Sequence, residues 1–180
     1  MINGKTVLGV IPARGGSKRF PGKNVAPFRG KPLVAWAMDT GLKSKYIDTL
    51  VCSSDDRGLA EIALCHICIF LDRPPELATD TATSEDVLRH ALTFYPADIV
   101  VLLQPTSPLR TTGDIDTCIE MFHVKPVVSY CENKRNGAVY VCSSQHIDFT
   151  DNIQYQMPPE RSLDIDYPED IANAGLSGHR

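Results

Sequence analysis

Apolar residues fall along this chain in short continuous blocks, separated by stretches whose apolar positions recur at helical spacing. Thr6–Pro12 is an uninterrupted block and reads as a buried strand. Pro32–Leu42 reads as a helix with proline near its first turn. Asp48–Ser54 is a second strand, followed by a helix over Asp56–Leu64 and a short strand at Ile67–Phe70. The polar run Leu71–Asp80 predicts a loop. Ser84–Phe94 is helical, with Glu85 and Asp86 near its positive end. Asp98–Gln104 is the most apolar strand of the chain and runs into Gln104-Pro-Thr-Ser-Pro. A helix over Gly113–Phe122 and a strand over Lys125–Ser129 follow. Asn136-Gly137 then signals a turn before a strand at Ala138–Cys142. The last helix is predicted from Pro168 to about Ala174.

Strands alternating with helices imply an α/β fold with a mostly parallel sheet covered on both faces. Ligands of such sheets gather at the carboxyl ends of strands, where the chain carries its most unusual segment. Ile11-Pro-Ala-Arg-Gly-Gly-Ser-Lys-Arg-Phe-Pro-Gly-Lys-Asn24 leaves the first strand with three glycines and four cations, Arg14, Lys18, Arg19 and Lys23. Glycines let a backbone approach an anion closely, and the cations neutralise it. The segment contains neither G-x-x-x-x-G-K-[ST] nor G-x-G-x-x-G, so neither a Walker loop nor a dinucleotide fingerprint explains it.

Charge sharpens this reading. The formal net charge is −4, yet residues 1–38 hold seven Lys/Arg and no Asp or Glu, while the other 142 hold 11 basic and 22 acidic residues. A nucleic-acid binder would favour a basic surplus spread over a face. A surplus confined to a glycine loop favours one small, highly charged ligand. No apolar run is long enough to span a bilayer and no signal peptide precedes the first strand, so a cytoplasmic protein without membrane contact is expected. In that setting the six cysteines are expected to be reduced packing residues, and Cys65-His-Ile-Cys68 lacks a second pair to complete a zinc site. The five histidines follow no ligand spacing. Without repeat or linker, residues 1–180 are expected to form one domain.

Near the far end stands Ser162-Leu-Asp-Ile-Asp-Tyr-Pro-Glu-Asp170. In an extended segment Asp164 and Asp166 project to one side. Two carboxylates there suit Mg²⁺ (or Mn²⁺), which keeps several waters and bridges to phosphates. Asp170 is expected in the first turn of the following helix, and Ser84 is a candidate cap for its own helix.

Five segments in this order resemble the acylneuraminate cytidylyltransferases, or CMP-sialic acid synthetases. They are the Ile11–Asn24 loop, Arg73-Pro-Pro-Glu-Leu-Ala-Thr-Asp80, Gln104-Pro-Thr-Ser-Pro-Leu-Arg110, Asn136-Gly-Ala-Val-Tyr140 and Ser162-Leu-Asp-Ile-Asp166. The resemblance covers nearly the whole chain. It implies a three-layer, Rossmann-like nucleotidyltransferase fold and a reaction joining CTP to a nine-carbon 2-keto sugar acid, with release of pyrophosphate. It further implies that Ala13, Arg14, Gly15, Gly16 and Ser17, with Lys23 and Asn24, hold the nucleotide. Arg73 and Ser84 would recognise cytosine and its surroundings. Gln104 and Tyr140 would meet the sugar acid, with Asn136 shaping that pocket. Arg14, Lys23, Asp164 and Asp166 would carry the catalysis, the two aspartates through a metal. Whether an aspartate or metal-bound water takes the acceptor's proton stays open.

The chain departs from the family between Val128 and Asn136. A long excursion that contributes sugar-carboxylate contacts and a dimer arm is reduced to Ser129-Tyr-Cys-Glu-Asn-Lys-Arg135. A monomer, or a weak or atypical homodimer, is therefore expected. The acceptor is expected to be a sialic-acid-like nonulosonic acid. Another 2-keto sugar acid such as Kdo, or a nucleotide-binding homologue with little turnover, remain the alternatives.

Overall fold

The computed structural model describes residues 1–176. His179, for which no role is expected, lies outside them. The elements run β1 (Val7–Pro12), β2 (Pro27–Phe28), β3 (Lys31–Pro32), α1 (Leu33–Leu42), β4 (Thr49–Ser54), α2 (Gly58–Cys65), β5 (Ile69–Asp72) and α3 (Ser84–Phe94). Then come β6 (Ile99–Leu102), α4 (Thr112–Met121), β7 (Val127–Cys131), β8 (Lys134–Ser143), β9 (Ile153–Gln156) and α5 (Pro168–Leu176).

Seven strands form one sheet in the order β5-β4-β1-β6-β8-β7-β9, and β2–β3 form a separate small hairpin. β1 pairs in parallel with β4 and β6, β4 with β5, and β7 with β9; β8 alone runs against its neighbours. Alternation along β1 decides how each face is covered. Val7 and Ile11 join Leu50, Met38, Ile115 and Ile119 in one core, beneath α1, α2 and α4. Leu8 and Val10 point the other way, into a second core with Val51, Leu88, Ala91 and Leu102 beneath α3. The result is the expected three-layer α/β arrangement.

β9 was not foreseen. Ile153-Gln-Tyr-Gln156 is half polar and short, and it becomes a strand only because β7 offers a free edge in register, Val127 to Tyr130 beside Ile153 to Gln156. The turn signal at Asn136-Gly137 is also corrected. The β7–β8 connection is the two-residue turn Glu132–Asn133, both at positive φ (49° and 64°), between the paired Cys131 and Lys134. This is the hairpin geometry whose twist matches the strands. Asn136 and Gly137 lie inside β8 instead, in a bulge where Asn136 to Val139 face the single residue Ser129. Ser129 Oγ fills the gap, donating to Asn136 Oδ1 at 2.6 Å and accepting from the Val139 N–H at 2.8 Å.

The segment carrying Asp164 and Asp166 is irregular, not a strand. It is pinned from both sides. The fully buried Ile165 enters a small core with Phe28, Leu33 and Ala174, and its N–H donates to Thr106 O at 2.8 Å. Burying an isoleucine is worth about 2–3 kcal/mol, enough to fix a segment that lacks a ladder. The Asp170 carboxylate accepts the N–H groups of Asp166 and Tyr167, both at 2.8 Å, at the amino end of α5. Asp170 is thus the helix-entry residue expected.

Candidate active site

The chain leaves β1 for β4 on one side and later returns to β6 on the other. The loops after β1 and β6 therefore diverge, and a crevice opens between them. A cleft of about 470 Å³ lies there. Pro12, Arg14, Ser17, Lys18, Arg19, Lys23 and Asn24 line it from the β1 loop. Arg73, Asp80, Thr83 and Ser84 line it from the β5–α3 segment, and Gln104, Pro105 and Thr106 from the loop after β6.

Every cation of the β1 loop already holds a carboxylate. Arg14 Nη1 reaches Asp80 Oδ1 at 2.9 Å, and Lys18 contacts the other oxygen of the same group. Lys23 Nζ and Arg19 Nη2 each lie 3.1 Å from Asp166. Lys18 and Arg14 hold the Asp80 carboxyl below its usual range. Lys23 is the most enclosed of these cations, its side chain 13% exposed. Asn24 Nδ2 donates to Arg14 O at 2.9 Å and so braces the loop against itself.

The loop backbone is less free than the sequence suggested. Ala13 is buried and its N–H donates to Ser53 O at 3.0 Å. The Gly15 N–H donates to Asp55 Oδ1 at 2.9 Å, and the Ser17 N–H to Gly15 O at 3.1 Å. Ala13 and Gly15 thus anchor the loop to the end of β4. Gly16 has open space beside its α-carbon, where a ligand's oxygens can approach.

Arg73 is buried. Its Nε donates to Ser53 Oγ at 3.1 Å and its Nη2 to Ser53 O. Burial lowers its pKa, with Asp55 acting in the opposite sense. The cap of α3 is Thr83, not Ser84. Thr83 accepts from the Asp86 N–H, and the Asp86 carboxylate accepts from Thr83 in return, a capping box. Ser84 is left as a first-turn residue facing the cleft.

At the opposite end, Gln104 lines the cleft, whereas Asn136 and Tyr140 do not. Asn136 is buried with both ends of its amide engaged. Oδ1 accepts from Ser129 and from the Ala138 N–H; Nδ2 donates to Ser162 Oγ at 3.1 Å and to Met157 Sδ at 3.2 Å. It ties β8 to the segment that bears the aspartates. Tyr140 stacks edge-on against Phe149, with ring centroids 5.2 Å apart, and burial raises its pKa. Its ring is half-buried and packs against the second core, with Arg135 and Asp164 in its electrostatic surroundings.

Asp164 and Asp166 flank the buried Ile165, so both turn from the core. Asp164 is exposed and Asp166 half-buried, and neither is among the residues that line the cleft. Loss of surrounding water raises the Asp164 carboxyl pKa, the Thr106 hydroxyl opposes the rise, and the Asp166 charge adds to it. Among the described residues no three His, Cys, Asp or Glu side chains converge on a metal cage. Two carboxylate groups, one of them made less comfortable as an anion by its surroundings, fit a hard cation that brings waters and takes substrate oxygens for its other ligands.

Two supports escaped the sequence. Arg110 is 2% exposed; its Nη1 donates to Gln104 O at 3.2 Å and Ala138 O at 2.6 Å, and burial brings its pKa down to about 10. Asp114, also buried, binds Arg161 Nη2 at 2.8 Å, Tyr155 Oη at 2.8 Å and Thr111 Oγ1 at 2.7 Å. Burial raises the Asp114 carboxyl, but the bonds from Arg161 and Thr111 outweigh it and hold it low. Thr111-x-x-Asp114 was legible as a capping box; the long-range partners were not.

Against known proteins, residues 8–153 match the family model described as cytidylyltransferase. The chain belongs to the cytidylyltransferase family. Among relatives, it is 32% identical to the CMP-N,N'-diacetyllegionaminic acid synthase of Legionella pneumophila, over 92% of this chain and 93% of that protein. That alignment runs over 218 positions, more than the 180 residues here, so the relative carries residues with no counterpart in this chain. The chain is 29% identical to an Escherichia coli N-acylneuraminate cytidylyltransferase, over 89% of its own length and 49% of that protein. It spans a similar share, 52%, of a Campylobacter jejuni pseudaminic acid cytidylyltransferase that is 37% identical over 64% of this chain. A solved CMP:2-keto-3-deoxy-manno-octonic acid synthetase complexed with CTP has the same fold, with TM-score 0.74 and 16% identity, covering 96% of this chain and 98% of that one. Cytidylyltransferases named for sialic, legionaminic and pseudaminic acids thus surround this family member.

Proposed function

We propose that this cytidylyltransferase-family chain transfers CMP from CTP to a sialic-acid-like nonulosonic acid and releases pyrophosphate. The observation that carries this reading is the single cleft on which the β1-loop cations, Arg73 and Gln104 converge, beside Asp166 held by Lys23. Triphosphate oxygens would replace the Asp80 and Asp166 carboxylates on Arg14, Lys18, Arg19 and Lys23. Lys23, the least exposed of them, would neutralise the departing pyrophosphate, since a cation in a dry site acts on developing charge more strongly than in water. Asn24 keeps that loop in shape. Arg73 and Ser84 would select cytosine, because a site built on hydrogen bonds rejects a base lacking the matching groups.

At the other end Gln104 would orient the acceptor's hydroxyl for in-line attack on the α-phosphorus; positioning of this kind supplies much of the rate in phosphoryl transfer. Asp164 and Asp166 would hold Mg²⁺ (or Mn²⁺), which when bound supplies charge neutralisation at the phosphoryl oxygens. The raised pKa of Asp164 also makes it a candidate to take the acceptor's proton. With the tight Glu132–Asn133 hairpin where an arm would leave, we assign the chain a monomeric or weakly dimeric state in the cytoplasm. Among the described residues no helix is long and apolar enough to cross a membrane.

The test is pyrophosphate release from CTP, ATP, GTP and UTP with Mg²⁺ and a panel of nonulosonic acids plus Kdo. Release with CTP and a nonulosonic acid is expected. Release with Kdo alone would move the acceptor to the octulosonic class, which a 33% identical Bdellovibrio bacteriovorus 3-deoxy-manno-octulosonate cytidylyltransferase keeps in view. CTP binding without release from any acid would leave a nucleotide-binding homologue and overturn the proposal.

A further inference from the structure

The β8 bulge and the loop after β6 are built against each other at one point. Gly137, at the centre of the bulge, has φ +75°. A Cβ placed on it would lie 2.6 Å from Gln104 Oε1, 3.6 Å from Gln104 Cδ and 3.8 Å from Ser107 Oγ. The Gln104 amide therefore rests on the bare α-carbon of Gly137, in space that any other residue would fill. The two backbones are also held at fixed separation. Arg110 Nη1 bridges Gln104 O and Ala138 O, and Ser107 Oγ donates to Asn136 O at 3.3 Å. The main chain on both sides of Gln104 and Gly137 is thus locked, and the one movable part is the Gln104 side chain.

We infer that Gly137 is a positioning residue for the acceptor, setting the direction in which the Gln104 amide enters the cleft. This rests on the reading of Gln104 as an acceptor contact. A methyl group at 137 leaves the amide no room against the bulge. It swings toward the open cleft, and its donor and acceptor atoms move by an ångström or more. Misplacement on that scale is costly in an oriented reaction. The nucleotide end does not share this contact. Arg14, Lys23 and Arg73 belong to the β1 loop and the β5–α3 segment, which Gly137 does not touch. A substitution here therefore separates acceptor recognition from CTP recognition, which a general loss of stability does not.

The experiment is a cycle of Gly137→Ala, Gln104→Ala and the double variant. Gly137→Asn runs alongside, because asparagine tolerates left-handed φ and carries the same Cβ. Gly137→Ala is expected to raise the acceptor KM roughly 10-fold or more while the Kd for CTP, by calorimetry, stays within about 2-fold. Gln104→Ala should cost a similar factor. In the Gln104→Ala background, adding Gly137→Ala should change the acceptor KM by less than about 2-fold, since no amide remains to displace. Losses that multiply in the double variant, or a CTP Kd that shifts with the acceptor KM, would overturn the inference. A wild-type protein without turnover on any acid would instead overturn the role of Gln104. In that case Tm still reads the contact: Gly137→Ala should lower it less in the Gln104→Ala background, and equal drops in both would refute the contact itself. If Gly137→Ala does not fold, Gly137→Asn carries the cycle.

Discussion

The two ends of the cleft are held together by opposite means. At the end proposed for the nucleotide, four cations on a glycine loop grip two partly exposed carboxylates, Asp80 and Asp166. Behind the end proposed for the acceptor the structure is set by buried hydrogen bonds: Asn136 with Ser129 and Ser162, Arg110 with two carbonyls, Asp114 with Arg161 and Tyr155. Exposed ion pairs exchange partners readily and contribute little to stability. Buried polar networks do the reverse, because each lost partner leaves a desolvated group behind. One end is thus an ionic contact that a polyphosphate can take over. The other is a shape that must already exist when its ligand arrives.

Substitution of Asp164 and Asp166 should break the comparison most severely. Asp164→Asn and Asp166→Asn are each expected to lower kcat about 10²–10³-fold, as loss of a charge aligned with the reacting phosphate does. Circular dichroism should show both folded, since neither carboxylate faces the core. Wild-type rates at saturating Mg²⁺ would remove them from the catalytic set.

Next comes Asp114, which tests the rigid end. Asp114→Ala should cost about 3 kcal/mol in urea unfolding, because it strands the Arg161 cation and the Tyr155 hydroxyl. Its pH signature follows from the lowered pKa. A carboxyl held below its unfolded value adds stability that is present above the unfolded pKa and lost as pH falls through the folded pKa. Wild-type stability should therefore drop on the acid side, and Asp114→Asn should flatten that limb. Unchanged acid unfolding in the variant would place the sensitivity elsewhere.

Asp164 gives a smaller effect of opposite sign. Its folded pKa is raised, so the stability linked to it is present below the unfolded pKa and lost as pH rises through the folded one. Asp164→Asn should raise Tm slightly at pH 7 in the absence of ligands while removing activity. A lower Tm would show that the ionised carboxylate supports the wall. Smallest of all is the change at Asp80. Asp80→Asn frees Arg14 and Lys18, and calorimetry at low ionic strength should show CTP binding tightened only about 2–5-fold, a gain that vanishes near 0.5 M salt.

The sequence was most readable where function needs a local pattern. The β1 loop declares itself because glycines and cations must be neighbours to surround one anion, and β1, β4 and β6 because buried parallel strands are continuous apolar runs. It was least readable where distant segments decide the outcome. Ile153–Gln156 is a strand only beside β7. Glu132–Asn133 carries no clear turn signature because glutamate rarely adopts positive φ, while Asn136-Gly137 has the composition of a turn but serves as a bulge. Asp80 ends the segment Arg73–Asp80, yet nothing in the sequence says that it closes on Arg14, 66 positions away. Asn136, expected to shape the pocket, does not line the cleft; it is buried in a network whose members, Ser129, Met157 and Ser162, are spread over both sides of it in sequence.

The Glu132–Asn133 turn has a consequence for how acceptor range can be re-equipped. It joins strands that are paired on either side of it, Cys131 with Lys134 and Tyr130 with Arg135, and it is remote in sequence from every cation of the β1 loop. Lengthening a connection between paired strands costs little, about 0.6 kcal/mol for each doubling of the loop. The hairpin tip is therefore a grafting port. A segment spliced in there, carrying its own cations or its own oligomer contacts, would add groups while leaving the β1 loop untouched, so that one scaffold can be re-equipped from outside.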